Sequence, residues 1–224
     1  LEDIGATDEG ADQIEDAAAI RFDADETVGI SVTSSKALKN ELSWADDLIR
    51  WGFDDIAKWH LFELEKKISN KKNAEPLMRY YLNRGYYNRA VSLGQNIFGP
   101  SGKKLNLKYE GILWRATYPK AYRSNVEIEA KKRKIDPVWL WSIMKAETQF
   151  KKDAISPVGA VGLMQFMPYT SVKVASMLDA DHTPVQLLEP KYAIQYGAMY
   201  LKKLSDELGD ELPLVAAAYN GGPH

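Results

Sequence analysis

From Leu38 onward the hydrophobic residues recur at intervals of three and four, which is the spacing of one face of an α-helix. We find no stretch in which hydrophobic and polar residues alternate as in a half-buried β-strand. The pattern therefore predicts an all-α fold. Before Leu38 the chain is acidic, rich in Gly, Ser and Thr, and shows little sustained periodicity. We predict that residues 1–36 form a flexible acidic arm.

A short motif occurs twice in the first helical stretch. Residues 52–57 read Gly-Phe-Asp-Asp-Ile-Ala, and residues 85–90 read Gly-Tyr-Tyr-Asn-Arg-Ala, an offset of 33 residues. That period is typical of helix–turn–helix repeats. We expect the glycine to permit the turn, the aromatic residue to fill the joint and the small alanine to let the paired helices approach. The repeat predicts a helical-hairpin region over residues 37–105, although two copies are few and coincidence is the alternative.

A break in the helical pattern follows the second copy of the motif. Residues 98–104 read Phe-Gly-Pro-Ser-Gly-Lys-Lys, a composition typical of linkers. We place a domain boundary between Gly99 and Trp114, so that residues 106–224 form a second domain.

Charge changes this picture only slightly. Residues 1–30 hold ten acidic side chains against the single base Arg21, whereas the whole chain has a formal net charge of −2. The remaining residues are therefore mildly basic, which suits an anionic polymer but equally an ordinary solvated surface. This charge is the only feature that would indicate a nucleic-acid partner, and we do not expect one.

Other chemistry is excluded by composition. The chain has no cysteine, so disulfides and cysteine metal sites are absent. Its three histidines (His60, His182 and His224) are scattered without a ligand spacing, and we expect neither metal nor organic cofactor. The chain contains no run of about 18 apolar residues, so we expect no membrane span. The chain begins with Leu1 and without a signal-peptide pattern, which we interpret as a processed or trimmed chain.

A helix with one acidic residue on its apolar face follows Asp136 and Pro137. Asp is a preferred N-cap and Pro suits the first helical position, so the pair predicts a helix start. Glu147 lies near the end of that helix, and its offsets of three, four and seven place it on one face with three hydrophobic residues. These are Met144, Ile143 and Leu140.

A carboxylate in such a place is costly to ionise. Loss of hydration should raise the pKa of Glu147 and keep its proton near neutral pH, as a general acid requires. The alternative is a Glu at the rim of the stripe, paired with Lys151 or Lys152. The helix pattern alone favours that alternative.

Two further segments bear on this choice. Residues 156–162 are small and turn-rich, and they lead into Leu163-Met164-Gln165-Phe166-Met167-Pro168. There Gln165 is a polar residue that needs a partner, while Met164 and Phe166 are equally compatible with a core. A phosphate cradle is disfavoured, because no Lys-Ser/Thr pair follows. Near the end, Tyr219 and Asn220 precede a glycine turn, which alone is more typical of a helix end than of a binding site.

Together these pieces resemble the soluble lytic murein transglycosylases, of the lysozyme-like superfamily that includes goose-type lysozyme. The resemblance covers about residues 118–223, and the hairpins also resemble the superhelical region of larger members. It implies a lysozyme-like α domain after the helical-hairpin region. The residues that carry it are Glu147-Thr148, Ser156, Gly159-Ala160, Gly162-Leu163-Met164-Gln165, Met167-Pro168 and Ala218-Tyr219-Asn220.

The resemblance implies cleavage of the β-1,4 bond between N-acetylmuramic acid and N-acetylglucosamine in peptidoglycan without water. Glu147 would protonate the glycosidic oxygen and then take the proton of the muramic C6 hydroxyl, which leaves a 1,6-anhydro product. No second carboxylate is recognisably placed as a nucleophile, although folding could bring Glu189 near. By the same resemblance the substrate-binding residues are Thr148, Ser156, Gly162, Met164, Gln165, Phe166, Tyr219 and Asn220.

This sequence departs from the family at several positions. Thr148 stands where Ser is usual, and Ala193 stands where Asn is frequent. The chain ends four residues after Asn220, so we interpret the catalytic domain as C-terminally truncated, without a further subsite tyrosine. The resemblance implies the periplasm or cell envelope, with peptidoglycan glycan strands and proteins of the cell-wall machinery as partners. The alternatives are a goose-type-like lysozyme that hydrolyses the same bond and an inactive peptidoglycan-binding scaffold.

Overall fold

The computed structural model describes residues 35–68, 71–98 and 111–221. In these ranges the only β contacts are two isolated bridges, between Ile155 and Val161 and between Val161 and Phe166. The all-α prediction is confirmed. The helices in these ranges are α1 (Ser35–Arg50), α2 (Asp54–Lys66), α3 (Lys71–Asn83), α4 (Tyr87–Phe98), α5 (Gly111–Thr117), α6 (Arg123–Arg133), α7 (Pro137–Thr148), α8 (Pro168–Leu178), α9 (Pro190–Leu208) and α10 (Leu212–Gly221), with a 3-10 helix over Pro184–Leu188.

The repeated motif forms two equivalent helical hairpins, α1–α2 and α3–α4. Gly52 has φ +82° and Gly85 has φ +73°, the left-handed conformation that ends a helix. After each glycine, the next backbone N–H bonds back across the last helical turn, from Phe53 to the Leu48 carbonyl and from Tyr86 to that of Tyr81. The predicted turns are confirmed, since both copies use the same helix-ending hydrogen bonds.

The motif's alanines behave as expected, but one of its aromatic residues does not. Ala57 and Ala90 are fully buried, so a larger side chain would separate the paired helices. Tyr86 is half-buried, whereas Phe53 is 51% exposed. The expectation that the aromatic residue fills the joint is therefore wrong for the first hairpin. Phe53 caps the start of α2 through its backbone carbonyl, which accepts the N–H of Ala57.

Helix α5 continues the hairpin packing and leads into the second group of helices. It packs against α3 and α4. The predicted acidic arm up to residue 34 and the predicted linker from Gly99 lie outside the described residues. The proposed domain boundaries stay predictions.

The second group of helices is built around α9. This helix packs against α6, α7, α8, α10 and the 3-10 helix. One face of α9 buries Ile194, Ala198 and Leu201. These side chains belong to the same continuous core as the buried residues of α7. Burial of this apolar surface is the main stabilising contribution here, at roughly 25 cal/mol per Å². Of the described helices, none combines the length and the hydropathy needed to cross a bilayer.

Two side chains on one face of α7 tie it to the segment between α5 and α6. Trp141 donates its indole N–H to the Ala121 carbonyl at 2.8 Å. One turn later, the Lys145 ammonium donates to the Thr117 carbonyl at 2.7 Å and lies 4.1 Å from the centre of the Tyr118 ring. Thr117 ends α5, where a carbonyl lacks an intrahelical partner. The position of α7 is thus linked to the end of the hairpin region.

Candidate active site

Local sequence determines where the helix of Glu147 begins. Asp136 is the N-cap, and its side-chain oxygen accepts the N–H of Val138 at 2.8 Å. Pro137 occupies the first helical position, as predicted. Helix α7 then runs to Thr148, so Glu147 is its penultimate residue. Leu140, Ile143 and Met144 are buried beneath it, as the stripe predicted.

Glu147 is half-buried, and its carboxylate is unpaired among the described residues. Burial raises the pKa of Glu147 above its ordinary value. No side-chain hydrogen bond or ion pair involves it within the described residues, so the predicted alternative of a pair with Lys151 or Lys152 is not found. Both lysines are exposed. Glu147 therefore holds its proton more tightly than a solvated Glu, and no described residue occupies its oxygens.

The chain leaves α7 through an unusual turn. Gln149 has φ +49° and Phe150 has φ +67°, a left-handed pair that non-glycine residues seldom adopt. Their N–H groups bond back to the Lys145 and Met144 carbonyls and so close the helix directly after Glu147. The Phe150 side chain is buried, which holds the turn in place. Backbone strain of this kind is concentrated at functional sites.

Thr148 connects α7 to the loop that follows. Its hydroxyl lies 3.0 Å from the carbonyl oxygen of Leu163 and 3.2 Å from that of Met144. The resemblance implies that this hydroxyl supports Glu147. In the structure the Thr148 hydroxyl bonds to backbone carbonyls and not to the Glu147 carboxylate. It can therefore support Glu147 only indirectly, by fixing the position of the end of α7.

The loop from Ile155 to Phe166 is a tight double turn. Ser156 and Ala160 bond reciprocally, because the Ser156 N–H donates to the Ala160 carbonyl and the Ala160 N–H donates to the Ser156 hydroxyl, each at 2.9 Å. Gly162 has φ +75° and is pressed against the 3-10 helix, where a Cβ would lie 1.9 Å from the carbonyl oxygen of Leu187. Only glycine fits at this position.

Gln165 has the partner that its surroundings require. It adopts φ +49°, and its amide nitrogen donates to the Gly162 carbonyl at 2.9 Å and to the Ala154 carbonyl at 3.3 Å. The side chain is half-buried. Its amide oxygen has no hydrogen bond within the described residues and is available to accept one from a ligand.

Met164 and Phe166 point into the core. Met164 is fully buried against Gly197, where an added Cβ would lie 2.3 Å from the methionine methyl carbon. Phe166 is buried, and its ring packs edge-on against those of Tyr196, Tyr200 and Tyr219 at centroid distances of 6.0–6.3 Å. These two side chains shape the site from below, and they present no surface to a ligand.

Tyr219 closes the site from α10. Its hydroxyl donates to the Met164 carbonyl at 2.8 Å. The pKa of this phenol lies well above its usual value, mainly because of burial and secondly because of the negative charge of Glu147. Tyr219 and Glu147 are therefore electrostatic neighbours, although 72 positions separate them in the chain. Asn220 is exposed in the last turn of α10.

The structure thus brings together Glu147, Thr148, the 155–166 loop and Tyr219. Sequence reasoning missed Tyr200, whose ring lies 5.4 Å from that of Tyr219 and which burial gives a raised pKa. The signal that could have found it is the spacing of Tyr196 and Tyr200, four residues apart on one face of α9. Across the described ranges, no three His, Cys, Asp or Glu side chains cluster in a way that could hold a metal ion.

Comparison with known proteins agrees with this geometry. Residues 124–224 match the family model described as the transglycosylase SLT domain. The chain is 28% identical over 198 residues to the soluble lytic murein transglycosylase of Salmonella typhimurium and 27% identical to that of Escherichia coli, covering 86% of this chain in each case. It spans about 28% of the length of those relatives.

A solved structure extends the likeness to the fold. The crystal structure of the 70 kDa soluble lytic transglycosylase Slt70 from Escherichia coli superposes with a TM-score of 0.66 at 27% identity. The superposition covers 84% of this chain and 29% of that one. The lysozyme-like helical fold after the hairpin region is confirmed.

Proposed function

We propose that this chain cleaves the β-1,4 bond between N-acetylmuramic acid and N-acetylglucosamine in peptidoglycan, since residues 124–224 match the model of the transglycosylase SLT domain. The products would end in 1,6-anhydromuramic acid. The observation that carries the proposal is the placement of Glu147, half-buried, with a raised pKa and without a partner among the described residues.

The reaction needs one acid that later acts as a base. Protonated Glu147 gives its proton to the glycosidic oxygen, and the bond between that oxygen and C1 of the muramic residue breaks. The Glu147 carboxylate then removes the proton from the C6 hydroxyl, and O6 bonds to C1. Glu147 regains its proton, so no water is consumed and the residue is ready for a second turnover.

A single carboxylate is consistent with the surroundings of Glu147. Its pKa is raised by burial, and no acid among the described residues contributes to the shift. The pKa of the Tyr122 phenol is raised mainly by burial, then by Tyr87, and least by the charge of Asp153, the nearest acid downstream of Glu147. Glycoside hydrolases of the two-carboxylate type need a second acid within about 10 Å that acts on the same sugar. These features favour the non-hydrolytic route over hydrolysis.

The remaining site residues take two kinds of role. Gln165, Ser156 and Asn220 carry polar groups that would line the glycan groove. Gly162, Met164, Phe166 and Thr148 would hold the shape of the groove through the contacts described above. Tyr219 would lie beside the reacting bond while it fixes the Met164 carbonyl. We place the activity in the cell envelope, where peptidoglycan lies, with proteins of the cell-wall machinery as further partners.

The test is mass spectrometry of purified peptidoglycan sacculi after incubation with the parent chain or with Glu147→Gln. The parent should release 1,6-anhydromuropeptides and Glu147→Gln should release none. Reducing ends, heavier by one water, would identify a hydrolase instead. Glycan binding without any release would favour the inactive scaffold and contradict the proposal.

A further inference from the structure

A chain of hydrogen bonds through one histidine joins α8, the segment after it and α9. The Ser171 hydroxyl donates to the Pro168 carbonyl at 2.7 Å, and its oxygen lies 2.9 Å from Nε2 of His182. On the other side of the ring, Nδ1 lies 3.2 Å from the hydroxyl oxygen of Tyr196. Ser171 belongs to α8 and Tyr196 to α9. The imidazole therefore links the two helices to the segment between them.

A serine beside a histidine is also the composition of a nucleophile and its base. Ser171 is fully buried, however, and its hydroxyl hydrogen is directed to a backbone carbonyl. A substrate cannot reach this hydroxyl, so the three side chains are not a second catalytic site. Their contribution comes from how they hold the segments around them.

The hydrogen bonds determine which nitrogen of His182 carries the hydrogen. Because the Ser171 hydroxyl hydrogen points to the Pro168 carbonyl, the Ser171 oxygen accepts from Nε2–H. Nδ1 of the neutral ring is then an acceptor, and the Tyr196 hydroxyl donates to it. Burial, and secondly Tyr192, raise the pKa of the Tyr196 phenol, so this hydroxyl keeps its hydrogen. Every donor in the chain has an acceptor while His182 is neutral.

Protonation of His182 breaks this arrangement. An imidazolium carries N–H on both nitrogens, so Nδ1 would meet a hydroxyl that already points a hydrogen at it. The Tyr196 hydroxyl would have to turn away, and it has no second partner within the described residues. Tyr196 is buried, so its hydroxyl would be left as an unsatisfied donor, which is costly. Burial lowers the pKa of His182 and thus also favours the neutral ring.

No other charge among the described residues determines the ionisation of His182, because burial is the only cause of its lowered pKa. The nearest cation on α8, Lys173, lies 4.6 Å from the centre of the Tyr169 ring. The titratable groups within five positions of His182, Ser171 or Tyr196 are Tyr169, Lys173, Asp179, Asp181, Lys191, Tyr192 and Tyr200. The response to pH therefore belongs to the histidine and its two hydrogen-bond partners.

One end of this chain of hydrogen bonds contacts the 155–166 loop directly. The Tyr196 ring packs edge-on against the ring of Phe166 at a centroid distance of 6.3 Å. Phe166 is the last residue of that loop, and its backbone exchanges two hydrogen bonds with Val161. A movement of Tyr196 would therefore be transmitted to the loop.

The middle of the chain of hydrogen bonds reaches the same loop by a second route. His182 immediately precedes Thr183, the N-cap of the 3-10 helix. That helix carries the Leu187 carbonyl, against which Gly162 is pressed so closely that a Cβ would not fit. A shift of His182 would thus move the surface on which the loop rests.

We propose that Ser171, His182 and Tyr196 position the 155–166 loop beside Glu147, and that they do so only while the His182 ring is neutral. These three are positioning residues, since they act through Phe166 and the 3-10 helix and not on the glycan. The inference rests on the proposed function for its reaction, and it adds a group that limits cleavage at acid pH.

The sign of this effect separates His182 from Glu147. Glu147 must be protonated when the reaction begins, so its own titration reduces cleavage only as pH rises. The folded-state pKa of His182 is lowered, so the hydrogen bonds it makes are complete above its ordinary pKa and are lost as pH falls through the folded-state value. A loss of cleavage on the acid side therefore reports His182.

The experiment measures kcat and KM on solubilised peptidoglycan strands between about pH 8 and about pH 5, the range in which histidine titrates. For the parent, kcat should fall about tenfold per pH unit once His182 is protonated, with little change in KM. His182→Gln keeps one donor and one acceptor but cannot ionise, so its kcat should not fall on the acid side. Tyr196→Phe removes the conflicting hydroxyl and should move the acid limb to lower pH.

His60→Gln is the matched control. His60 is also a half-buried histidine, but it lies on α2, 3.2 Å from the Glu41 carboxylate. Its acid limb should coincide with that of the parent. The inference is overturned if the parent shows no acid limb, if His182→Gln keeps the parental one, or if His60→Gln loses it as well.

Hydrogen exchange tests the positioning of the loop without relying on cleavage. After correction for the intrinsic exchange rate at each pH, protection of the 155–166 amides in the parent should fall about tenfold from about pH 7.5 to about pH 5. In His182→Gln it should stay constant. This result without any anhydro products would defeat the proposed cleavage alone. Anhydro products with loop protection independent of pH in the parent would defeat this inference alone.

Discussion

The hydroxyl of Tyr219 lies 2.8 Å from the backbone carbonyl oxygen of Met164 and donates a hydrogen bond to it. This bond joins α10 to the loop after Gly162, so two distant segments of the chain meet beside Glu147. Burial, and secondly the negative charge of Glu147, raise the pKa of the Tyr219 phenol. Because the phenol keeps its proton throughout the working pH range, the Tyr219 hydroxyl remains the donor of this hydrogen bond.

Tyr219→Phe tests this link. The substitution leaves the Met164 carbonyl without its partner, and we expect a loss of about 1–2 kcal/mol in the free energy of unfolding together with reduced cleavage. Tyr192→Phe is the matched control, because the Tyr192 hydroxyl forms no hydrogen bond within the described residues. Chemical denaturation of both variants measures the difference. Equal stability of the two would contradict the role of the Tyr219 bond.

The raised pKa of Glu147 predicts a pH dependence of stability. The folded protein holds the Glu147 proton more tightly than the unfolded chain does, so its contribution to stability is complete at acid pH and is lost as pH rises through the folded-state pKa. Gln cannot ionise. Glu147→Gln should therefore gain stability relative to the parent as pH rises from the ordinary carboxyl range toward neutrality.

Thermal unfolding of both chains over a series of pH values checks this sign. Glu211→Gln supplies the control, since Glu211 is exposed and its side chain forms no hydrogen bond or ion pair within the described residues. Its Tm difference from the parent should stay flat over the same series. If the Tm difference between Glu147→Gln and the parent were equally independent of pH, burial would not be holding the proton on Glu147.

Gly162 and Gly159 lie in one loop and both adopt positive φ, yet they should respond differently to alanine. At Gly162 a Cβ would lie 1.9 Å from the Leu187 carbonyl oxygen, whereas at Gly159 nothing lies within 4 Å. Gly159→Ala carries only the backbone cost of about 1–2 kcal/mol. Gly162→Ala must also displace the 3-10 helix, and we expect at least about 3 kcal/mol. Urea denaturation distinguishes them, and similar losses would mean that the contact with Leu187 is relieved easily.

Thr148 can be tested with two substitutions of opposite kind. Thr148→Ser keeps the hydroxyl that donates to the Leu163 carbonyl, and we expect nearly parental activity. Thr148→Val keeps the shape but loses the donor, which leaves a carbonyl unpaired and costs about 1–2 kcal/mol. Because the loop then loses its link to the end of α7, the yield of cleavage products should fall with Val and recover with Ser. If Thr148→Val were fully active, the Thr148 hydroxyl would have no role in positioning the loop.

Local features of the chain were predictable because their causes are local. The start of α7 follows from the N-cap carboxylate of Asp136 and the fixed φ of Pro137, and the hairpin turns follow from the left-handed conformation that Gly52 and Gly85 adopt without steric cost. The apolar stripe beneath Glu147 follows from helical periodicity. The same pattern could not show whether Lys151 pairs with Glu147, because exposed lysines reach in many directions.

The sequence by itself determined the helical class, the two hairpin turns and the helix that carries Glu147, while the site residues stay a prediction. Only the tertiary structure decided which atoms meet. In it the Thr148 hydroxyl hydrogen-bonds to the Leu163 carbonyl, Gly162 packs against Leu187, and the Tyr219 hydroxyl hydrogen-bonds to the Met164 carbonyl. It also exposes Phe53, which the repeat alone assigned to a filled joint. Capping and periodicity act within a few residues, whereas these contacts depend on how α9 gathers the helices packed around it.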